Sequence, residues 1–310
     1  MQTSVPDTFF SSPPHFRWLI VLYFFIGGLA GGALVLASLM RLFGRAEDRP
    51  LVHLASEVAL AGAVLSAIIL TVDLTRPLRF WHMVIQNHTG LPMFKWWSPM
   101  SVGVWGLLVF GVFALVAWLG ALADQGRTRW GVARAAANPA VAAIGAVGGM
   151  AAGLFLAGYT GVLLAVSNRP IWADSSWLGV LFLFSGVSTA IAALLLGARW
   201  RGLELPSTIA WLVRFDRITL ALEAIALVCF VVSLGAVARA LVNGWGALLV
   251  LGVLGMGVLL PLGMEWRPRI HGAQRMALAA ACVLVGGFLL RAAVLLSSEQ
   301  VRVLGTHVIR

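Results

Sequence analysis

The sequence predicts an all-α integral membrane protein with eight transmembrane helices and with both termini on the outer side of the membrane. Of its 310 residues, 60% are hydrophobic and only 11% are charged, whereas a soluble domain has about 25% charged residues. The apolar residues fall in runs of about 20, the length that a helix needs to cross the hydrocarbon core of a bilayer. The protein is therefore expected to cross the membrane several times.

Eight apolar runs follow one another along the sequence. The predicted spans are 18–40, 52–74, 98–123, 139–167, 177–198, 218–238, 246–263 and 277–297. They form one transmembrane domain over residues 18–297, between an N-terminal tail at 1–17 and a C-terminal tail at 298–310. The N-terminal tail has no basic n-region and no small-residue cleavage site, so the first run is expected to remain as a span. Few residues lie outside the spans, and large partners are expected to be separate chains.

The basic residues predict the orientation. The loops after the first, third, fifth and seventh spans hold 13 Lys and Arg residues, whereas the other loops and the two termini hold 9. By the positive-inside rule, both termini lie outside. These basic residues form short clusters without interleaved aromatic residues, so the net charge of +10 does not indicate nucleic-acid binding.

The first span contains four glycines within FIGGLAGGALVLAS, and glycine is a poor helix former. They are Gly27, Gly28, Gly31 and Gly32, and they share one helix face about 140° wide. GxxxG spacing lets a neighbouring helix approach backbone to backbone. The fourth span has a second set, Gly145, Gly149 and Gly153, so the two spans are expected to pack together. The glycines alone do not separate close packing from a thin wall beside a flat ligand.

The second span leads into the loop TRPLRFWHMVIQNHTGLPMFKWW, at about 75–97. Aromatic, apolar and basic residues are mixed in this loop, a composition typical of the membrane interface. The loop is expected to lie flat on the outer surface. An aromatic belt and a docking surface for a partner are both open interpretations.

Charged residues inside the spans need a partner or a function, since each costs about 2.5 to 3.5 kcal/mol at the bilayer centre. Glu57 and Glu223 are expected near the inner side, either protonated and bonded to Ser or Thr, or as a proton path from that side. A proton path along one face of the second span is not supported, because Glu57 and Asp73 lie about 160° apart around that helix. Asp73 and Arg76 are expected to pair at the interface, and Arg291 to snorkel to the outer surface.

Histidines and cysteines do not predict a metal site. A buried haem b needs axial ligands inside spans, but five of the six histidines lie in loops or tails, and His53 only begins the second span. Cys229 and Cys282 are expected to pack as small apolar residues. No HExxH, CxxC, P-loop or Rossmann pattern is present. Neither haem nor metal is therefore expected in this chain, and no catalytic residue is assigned.

Several segments agree, in order, with one known family. They are FIGGLAGGALVLAS in the first span, DLTRPLRFWHM after the second, SPMSVGVWGLLVF opening the third, and GYTGVLLAVSNRPIWADSSWLGVLFLFSGVSTA across the fourth and fifth. This part of the sequence resembles the polysulfide-reductase membrane-subunit family, often called NrfD or PsrC. The C-terminal third resembles it mainly through Glu223 and the GGFLLR run that ends at Arg291.

The resemblance implies an integral subunit of a bacterial respiratory oxidoreductase complex in the cytoplasmic (inner) membrane, with both termini in the periplasm. Such subunits bind quinone or quinol, either menaquinone or ubiquinone, near the periplasmic face and hold no haem. They exchange electrons with a separate 4Fe-4S ferredoxin-like subunit, which usually serves a molybdopterin or multihaem cytochrome catalytic subunit. Membrane lipid is the other expected partner.

The resemblance also implies a place for the quinone headgroup, toward the outer ends of the first helices. A tyrosine of the fourth helix is among its contacts, and Tyr159 of GYTG is the matching position. His15, Asp73, Arg76 and His82 are supporting candidates because they are expected at the same outer rim. For each of these four, a role at an interface without quinone contact is equally open.

Early in the first helix, the family has asparagine or another polar residue where this chain has Arg17, Trp18 and Tyr23. Two other functions are open. In the first, the protein is a proton-translocating coupling subunit that loads protons at Glu57 and Glu223. In the second, favoured by the glycine-rich helices, it is a secondary transporter, although the halves lack the internal repeat typical of that class.

Overall fold

The structure, a computed structural model, describes residues 18–74, 76–128, 130–167, 169–266 and 272–300. Within these ranges the chain is helical, apart from loops and an isolated antiparallel bridge between Ile85 and Pro92. The α-helices are α1 Trp18–Phe43, α2 Arg49–Asp73, α3 Pro99–Asp124, α4 Gly131–Ala136, α5 Pro139–Ala165, α6 Leu178–Trp200, α7 Pro206–Ser233, α8 Gly244–Ala247, α9 Leu260–Trp266 and α10 Gly272–Gln300. Three 3₁₀ stretches are Ala46–Asp48, Pro77–Met83 and Gly235–Leu241, and a π-helical segment, Leu248–Leu259, joins α8 to α9.

Seven helical stretches among the described residues are long and apolar enough to cross a membrane. They are Trp18–Phe43, Ala46–Asp73, Pro99–Asp124, Pro139–Ala165, Leu178–Trp200, Gly244–Met264 and Gln274–Ser298. The predicted class, an all-α multi-pass membrane protein, is thereby confirmed. The remaining long helix, α7, has 28 residues but carries Arg214, Asp216, Arg217 and Glu223, so the eighth span and the orientation stay predictions.

Prolines and short polar side chains set where several helices begin. Proline is favoured in the first turn of a helix because its missing N–H would have no partner there. Pro99, Pro139 and Pro206 begin α3, α5 and α7. The Ser98 hydroxyl and the Asn138 side-chain carbonyl accept backbone N–H groups of the first turns of α3 and α5.

Helix α1 lies at the centre of the bundle and packs against α2, α5, α6 and α10. A β-carbon on Gly31 would lie 2.7 Å from the carbonyl oxygen of Gly153 on α5, and one on Gly32 would lie 2.5 Å from that of Gly186 on α6. The predicted pairing of the first and fourth spans is confirmed by this backbone contact. Gly145 differs from the prediction, since it faces Val116 of α3. The glycine face thus lets several helices surround α1 closely.

The two ends of the bundle differ in character. At one end, which we call the arginine-rich end, Arg41 pairs with Asp124 and Arg201 pairs with Glu57. These ion pairs join the end of α1 to that of α3, and the end of α6 to α2. The opposite end, which we call the aromatic end, carries the 3₁₀ stretch Pro77–Met83 and the loop that continues to Trp97. Its exposed side chains include Phe80, Trp81, Phe94, Trp96 and Trp97.

Candidate functional site at the aromatic end

Tyr159 connects α5 to the beginning of α3. Its side chain is buried, and its hydroxyl donates a hydrogen bond to the carbonyl oxygen of Pro99. Gly103 faces the Tyr159 ring, so α3 can approach closely. Phe155 stacks on the same ring with a centroid distance of 5.2 Å. The hydroxyl can therefore donate to a ligand only by turning away from Pro99, whereas its oxygen can still accept a hydrogen bond.

Tyr23, the other of the two tyrosines in this chain, lies in the neighbourhood of Tyr159. A β-carbon on Gly27 would lie 3.5 Å from Cε2 of Tyr23 and 3.7 Å from Oγ of Ser66 on α2. Tyr23 and Ser66 are both buried. Neither hydroxyl has a hydrogen-bond partner among the described residues. Gly27 therefore has space for a methyl-sized group beside the Tyr23 ring and the Ser66 hydroxyl.

The hydroxyl groups lie at similar depth. Tyr23, Ser66 and Tyr159 are five, seven and six residues from the ends of their helices at the aromatic end, or roughly 7–11 Å at about 1.5 Å per residue. Thr160, beside Tyr159, is also buried, and its hydroxyl has no partner in the described part of the chain. Burying a polar group unpaired costs about 1–3 kcal/mol. A polar ligand or water at this level would remove that cost. We call Tyr23, Ser66, Tyr159 and Thr160 the hydroxyl layer.

The predicted rim residues lie nearer the surface. Asp73 ends α2 and is half-buried, whereas Arg76 is exposed. The expected ion pair between Asp73 and Arg76 is not among the salt bridges of the described residues. The His82 ring stacks on Trp81 at 3.7 Å, with its Nδ1 atom 3.2 Å from the Arg79 carbonyl oxygen. No contact of these three candidates with Tyr159 is recorded in the described ranges. His15 lies outside the described residues.

Arg291 on α10 is fully buried in the bundle. Its Nε donates to the Phe24 carbonyl oxygen at 3.1 Å, and Nη1 donates to Oγ of Ser185 at 3.0 Å and to the Gly287 carbonyl oxygen at 2.7 Å. The guanidinium also lies 5.3 Å from the centre of the Phe182 ring. The expectation that Arg291 snorkels to the outer surface is therefore wrong, because its hydrogen bonds hold it between α1, α6 and α10.

Glu223 on α7 is a buried acidic residue near Arg291. The Ser188 hydroxyl donates to Oε2 of the buried Glu223 carboxyl at 2.8 Å, and the buried Ser185 hydroxyl lies nearby. Ser185, which accepts a hydrogen bond from Arg291, thus lies between Arg291 and Glu223. Glu223 was expected near the inner end of its span, but α7 begins twelve residues before the predicted boundary, so Glu223 lies seventeen residues after Pro206 and only ten before Ser233.

Glu57 occupies a different environment. Its carboxylate pairs with Arg201 at the arginine-rich end, and the two side chains are 24% and 41% exposed. The partner is 144 residues away in sequence, so the residues around Glu57 do not reveal this ion pair. No hydrogen bond among the described residues links Glu57 to Glu223.

The sequence analysis missed two parts of this arrangement. One is that Tyr23 and Ser66 both lie beside Gly27, and the other is the hydrogen bond from Arg291 to Ser185. One signal was present in each case. Tyr23 is one of only two tyrosines, and a polar residue in an apolar span is costly unless it has a partner or a function. The sequence does not show which residues lie next to each other here, because Tyr23 and Ser66, like Ser185 and Arg291, belong to different helices.

Comparisons with known proteins give matches over most of this chain. The profile of the family described as "Polysulphide reductase, NrfD" matches residues 7–303. The sequence is 28% identical to Protein NrfD of Escherichia coli (strain K12) over 307 residues, which cover 91% of this chain and 94% of that protein. It is also 28% identical to the C chain of polysulfide reductase from Wolinella succinogenes over 275 residues, covering 79% of this protein and 81% of that one. A Haemophilus influenzae protein called Protein NrfD homolog is 26% identical over 274 residues, covering 80% and 83%.

Proposed function

The protein belongs to the polysulphide reductase NrfD family, and on that basis we propose that it is the membrane subunit of a bacterial respiratory oxidoreductase complex in the inner membrane. In this proposal it binds quinone or quinol near the periplasmic face and exchanges electrons with a separate 4Fe-4S ferredoxin-like subunit. That subunit serves a molybdopterin or multihaem cytochrome catalytic subunit. The name of one relative, the C chain of polysulfide reductase, denotes one part of a larger enzyme and supports this assembly.

The observation that carries the proposal is the hydroxyl layer. A quinone ring presents carbonyl oxygens that accept hydrogen bonds, whereas a quinol presents hydroxyl groups that donate them. Hydroxyl side chains both donate and accept, so Tyr23, Ser66 and Tyr159 suit both redox states of the ring. Two of the three lack a partner in the described part of the chain, which leaves their hydrogen-bonding capacity for a ligand.

Quinol oxidation releases protons as well as electrons, so a proton acceptor is needed close to the headgroup. Asp73 suits this role. It lies seven residues after Ser66 on α2, which puts both on the same face of the helix, and it is half-buried at the aromatic end. Arg76, His82 and His15 remain supporting candidates at the rim, where they can bind the headgroup or the partner subunit.

In this proposal α7 is an eighth span, and the aromatic end faces the periplasm. The excess of basic residues in the connections at the opposite end supports that orientation. The segment of α7 from Ile218 to Ser233 contains one charged residue, Glu223, which is buried inside the bundle. With eight spans, both termini lie on the periplasmic side.

A second candidate function is proton-translocating coupling through Glu57 and Glu223. The observation that favours it is the buried Glu223 carboxyl, which two serines contact inside the bundle. Glu57 supports it less, because the ion pair with Arg201 already gives that carboxylate a structural role.

The test of the leading proposal is purification of the protein with whatever co-elutes from its native membrane. We expect an iron-sulfur subunit and bound quinone, the latter measured by solvent extraction and chromatography. Ser66→Ala should lower the quinone retained per molecule of protein. Ser56→Ala on the same helix is the matched control, because the buried Ser56 hydroxyl only bonds the Val52 carbonyl. Recovery of a lone subunit without quinone would contradict the proposal.

A further inference from the structure

A groove of about 350 Å³ opens at the arginine-rich end, between the end of α1 and the beginning of α7. Its lining changes from apolar to charged along the axis of α1. The apolar part includes Leu39, Phe43 and Trp211, and the polar part includes Arg45, Glu47 and Ser207. A phospholipid changes in the same order, from an apolar acyl chain to a charged headgroup.

The apolar part can hold an acyl chain. Leu39 and Phe43 are four residues apart on α1 and therefore lie on one face, and Phe43 is 80% exposed. Across the groove, Trp211 stacks on Phe215 with a centroid distance of 5.4 Å. Tryptophan is enriched at headgroup depth. The groove therefore presents an apolar strip with an aromatic wall.

The polar part places opposite charges side by side. The Arg45 guanidinium lies 3.5 Å from Oε1 of Glu47, with the two side chains 82% and 49% exposed. The Ser207 hydroxyl donates to the same Oε1 atom at 3.3 Å. Oε2 of Glu47 accepts no hydrogen bond from the residues that the structure describes. A cation and a free carboxylate oxygen thus remain available to a zwitterionic headgroup.

We propose that this groove binds a phospholipid with a phosphoethanolamine headgroup. Arg45 binds the phosphate, Glu47 accepts a hydrogen bond from the primary ammonium, and one acyl chain lies along Leu39, Phe43 and Trp211. A phosphocholine headgroup has no N–H group to donate to Glu47. A phosphoglycerol headgroup brings a negative charge without a cation, and Glu47 and Asp48 repel it.

The test is a lipid titration of the delipidated full-length protein, with its co-purified subunits, followed by native mass spectrometry. Phosphatidylethanolamine, phosphatidylcholine and phosphatidylglycerol with identical acyl chains are the probes. We expect phosphatidylethanolamine to bind roughly three- to tenfold more tightly than the other two lipids. This range corresponds to the affinity gained from one additional charge-assisted hydrogen bond at an exposed site. This comparison needs only the wild-type protein. Equal binding of the three lipids would overturn the proposal.

Two variants separate the headgroup contacts. Arg45→Ala should weaken binding of all three lipids, whereas Glu47→Ala, which removes the acceptor, should remove the preference for phosphatidylethanolamine over phosphatidylcholine. Arg127→Ala and Glu204→Ala are matched controls, because both residues are exposed at the same end and lie outside the groove. A preference that persists in Glu47→Ala would overturn the proposal. Phosphatidylethanolamine with a photoreactive acyl chain should label peptides containing Phe43 or Trp211, and labelling confined to other peptides would also overturn it.

Discussion

The guanidinium group of Arg291 on α10 occupies the space beside Gly28 on α1, where a β-carbon would lie 2.7 Å from Nη2. The same β-carbon would lie 3.6 Å from the Cα atom of Gly186 on α6. Gly28 therefore admits both a neighbouring backbone and a buried cation, which reaches the Phe24 carbonyl oxygen. The glycine face of α1 serves close helix packing and also makes room for a charged side chain.

Gly28→Ala should displace the Arg291 guanidinium from this position. Overpacking a close-packed interior costs about 1–3 kcal/mol, and we expect that loss in the free energy of unfolding of the detergent-solubilised protein. Gly111→Ala on α3 is the control, since a β-carbon there meets nothing within 4 Å. It should be neutral, or stabilising by up to about 1 kcal/mol, because alanine is the better helix former. Equal losses in the two variants would contradict the steric explanation.

Arg291 and Glu223 should behave as a coupled pair. Arg291→Met removes the buried cation near Glu223 and leaves the acceptors of its hydrogen bonds unpaired, and each buried group left unpaired costs about 1–3 kcal/mol. In the double variant with Glu223→Gln, the loss should be smaller than the sum of the two single losses by about 1 kcal/mol or more. Unfolding measurements on all four proteins complete the cycle. Additive losses would show that the two residues do not interact through Ser185.

Tyr159→Phe should reduce quinol turnover at least several-fold. It also removes the hydrogen bond to the Pro99 carbonyl oxygen, so the free energy of unfolding should fall by about 0.5–1.5 kcal/mol. Tyr23→Phe is the informative comparison, because that hydroxyl has no partner among the described residues. It should lower turnover without lowering stability. Full activity of Tyr159→Phe would exclude this tyrosine from the quinone site.

The coupling function predicts that Glu57→Gln abolishes formation of the membrane potential while quinol oxidation continues. Arg201→Gln breaks the same ion pair but keeps the carboxyl group, so it should retain the potential formed per electron. Both variants should lose about 1 kcal/mol of stability or less, because the pair is partly exposed. The membrane potential formed per electron is measured with a potential-sensitive dye in vesicles that contain the reconstituted complex. An unchanged potential per electron in Glu57→Gln would rule this function out.

Cysteine labelling tests the proposed orientation. In a background with Cys229→Ser and Cys282→Ser, Thr89→Cys should react with a membrane-impermeant maleimide in cells whose outer membrane alone is permeable. Gln125→Cys should react only after the inner membrane is opened. Both positions are exposed, in the aromatic-end loop and after α3 respectively. The reverse labelling pattern would place the hydroxyl layer on the cytoplasmic side.

The membrane class and most span boundaries could be predicted, because hydrophobic runs and small-residue spacing are local properties of the sequence. The predicted span 139–167 is the helix Pro139–Ala165, and the Gly31 to Gly153 contact joins the expected partners. The largest boundary difference is at α7, where the charged stretch Arg214 to Arg217 was interpreted as a loop. It is helical, with Asp216 buried, because tertiary contacts override the local preference of a polar stretch.

The candidate site likewise contains residues that the sequence predicted and residues that only the structure revealed. Tyr159 was found through the resemblance of a short motif, whereas its neighbours Tyr23 and Ser66 required the packing of α1 and α2. The acidic side chain near Arg291, Glu223, likewise comes from another helix, α7. No local pattern relates residues at such separations.

By itself, the sequence determined that the protein crosses the membrane as a bundle of helices, which of their faces can pack closely, and which family it belongs to. Only the tertiary structure decided which polar group meets which: Arg201 with Glu57 across 144 residues, and Arg291 with Phe24 across 267. The physical reason is that hydrophobicity acts on each helix separately. A buried polar side chain, in contrast, is stabilised only by a donor, an acceptor or a charge that another helix brings to the same depth.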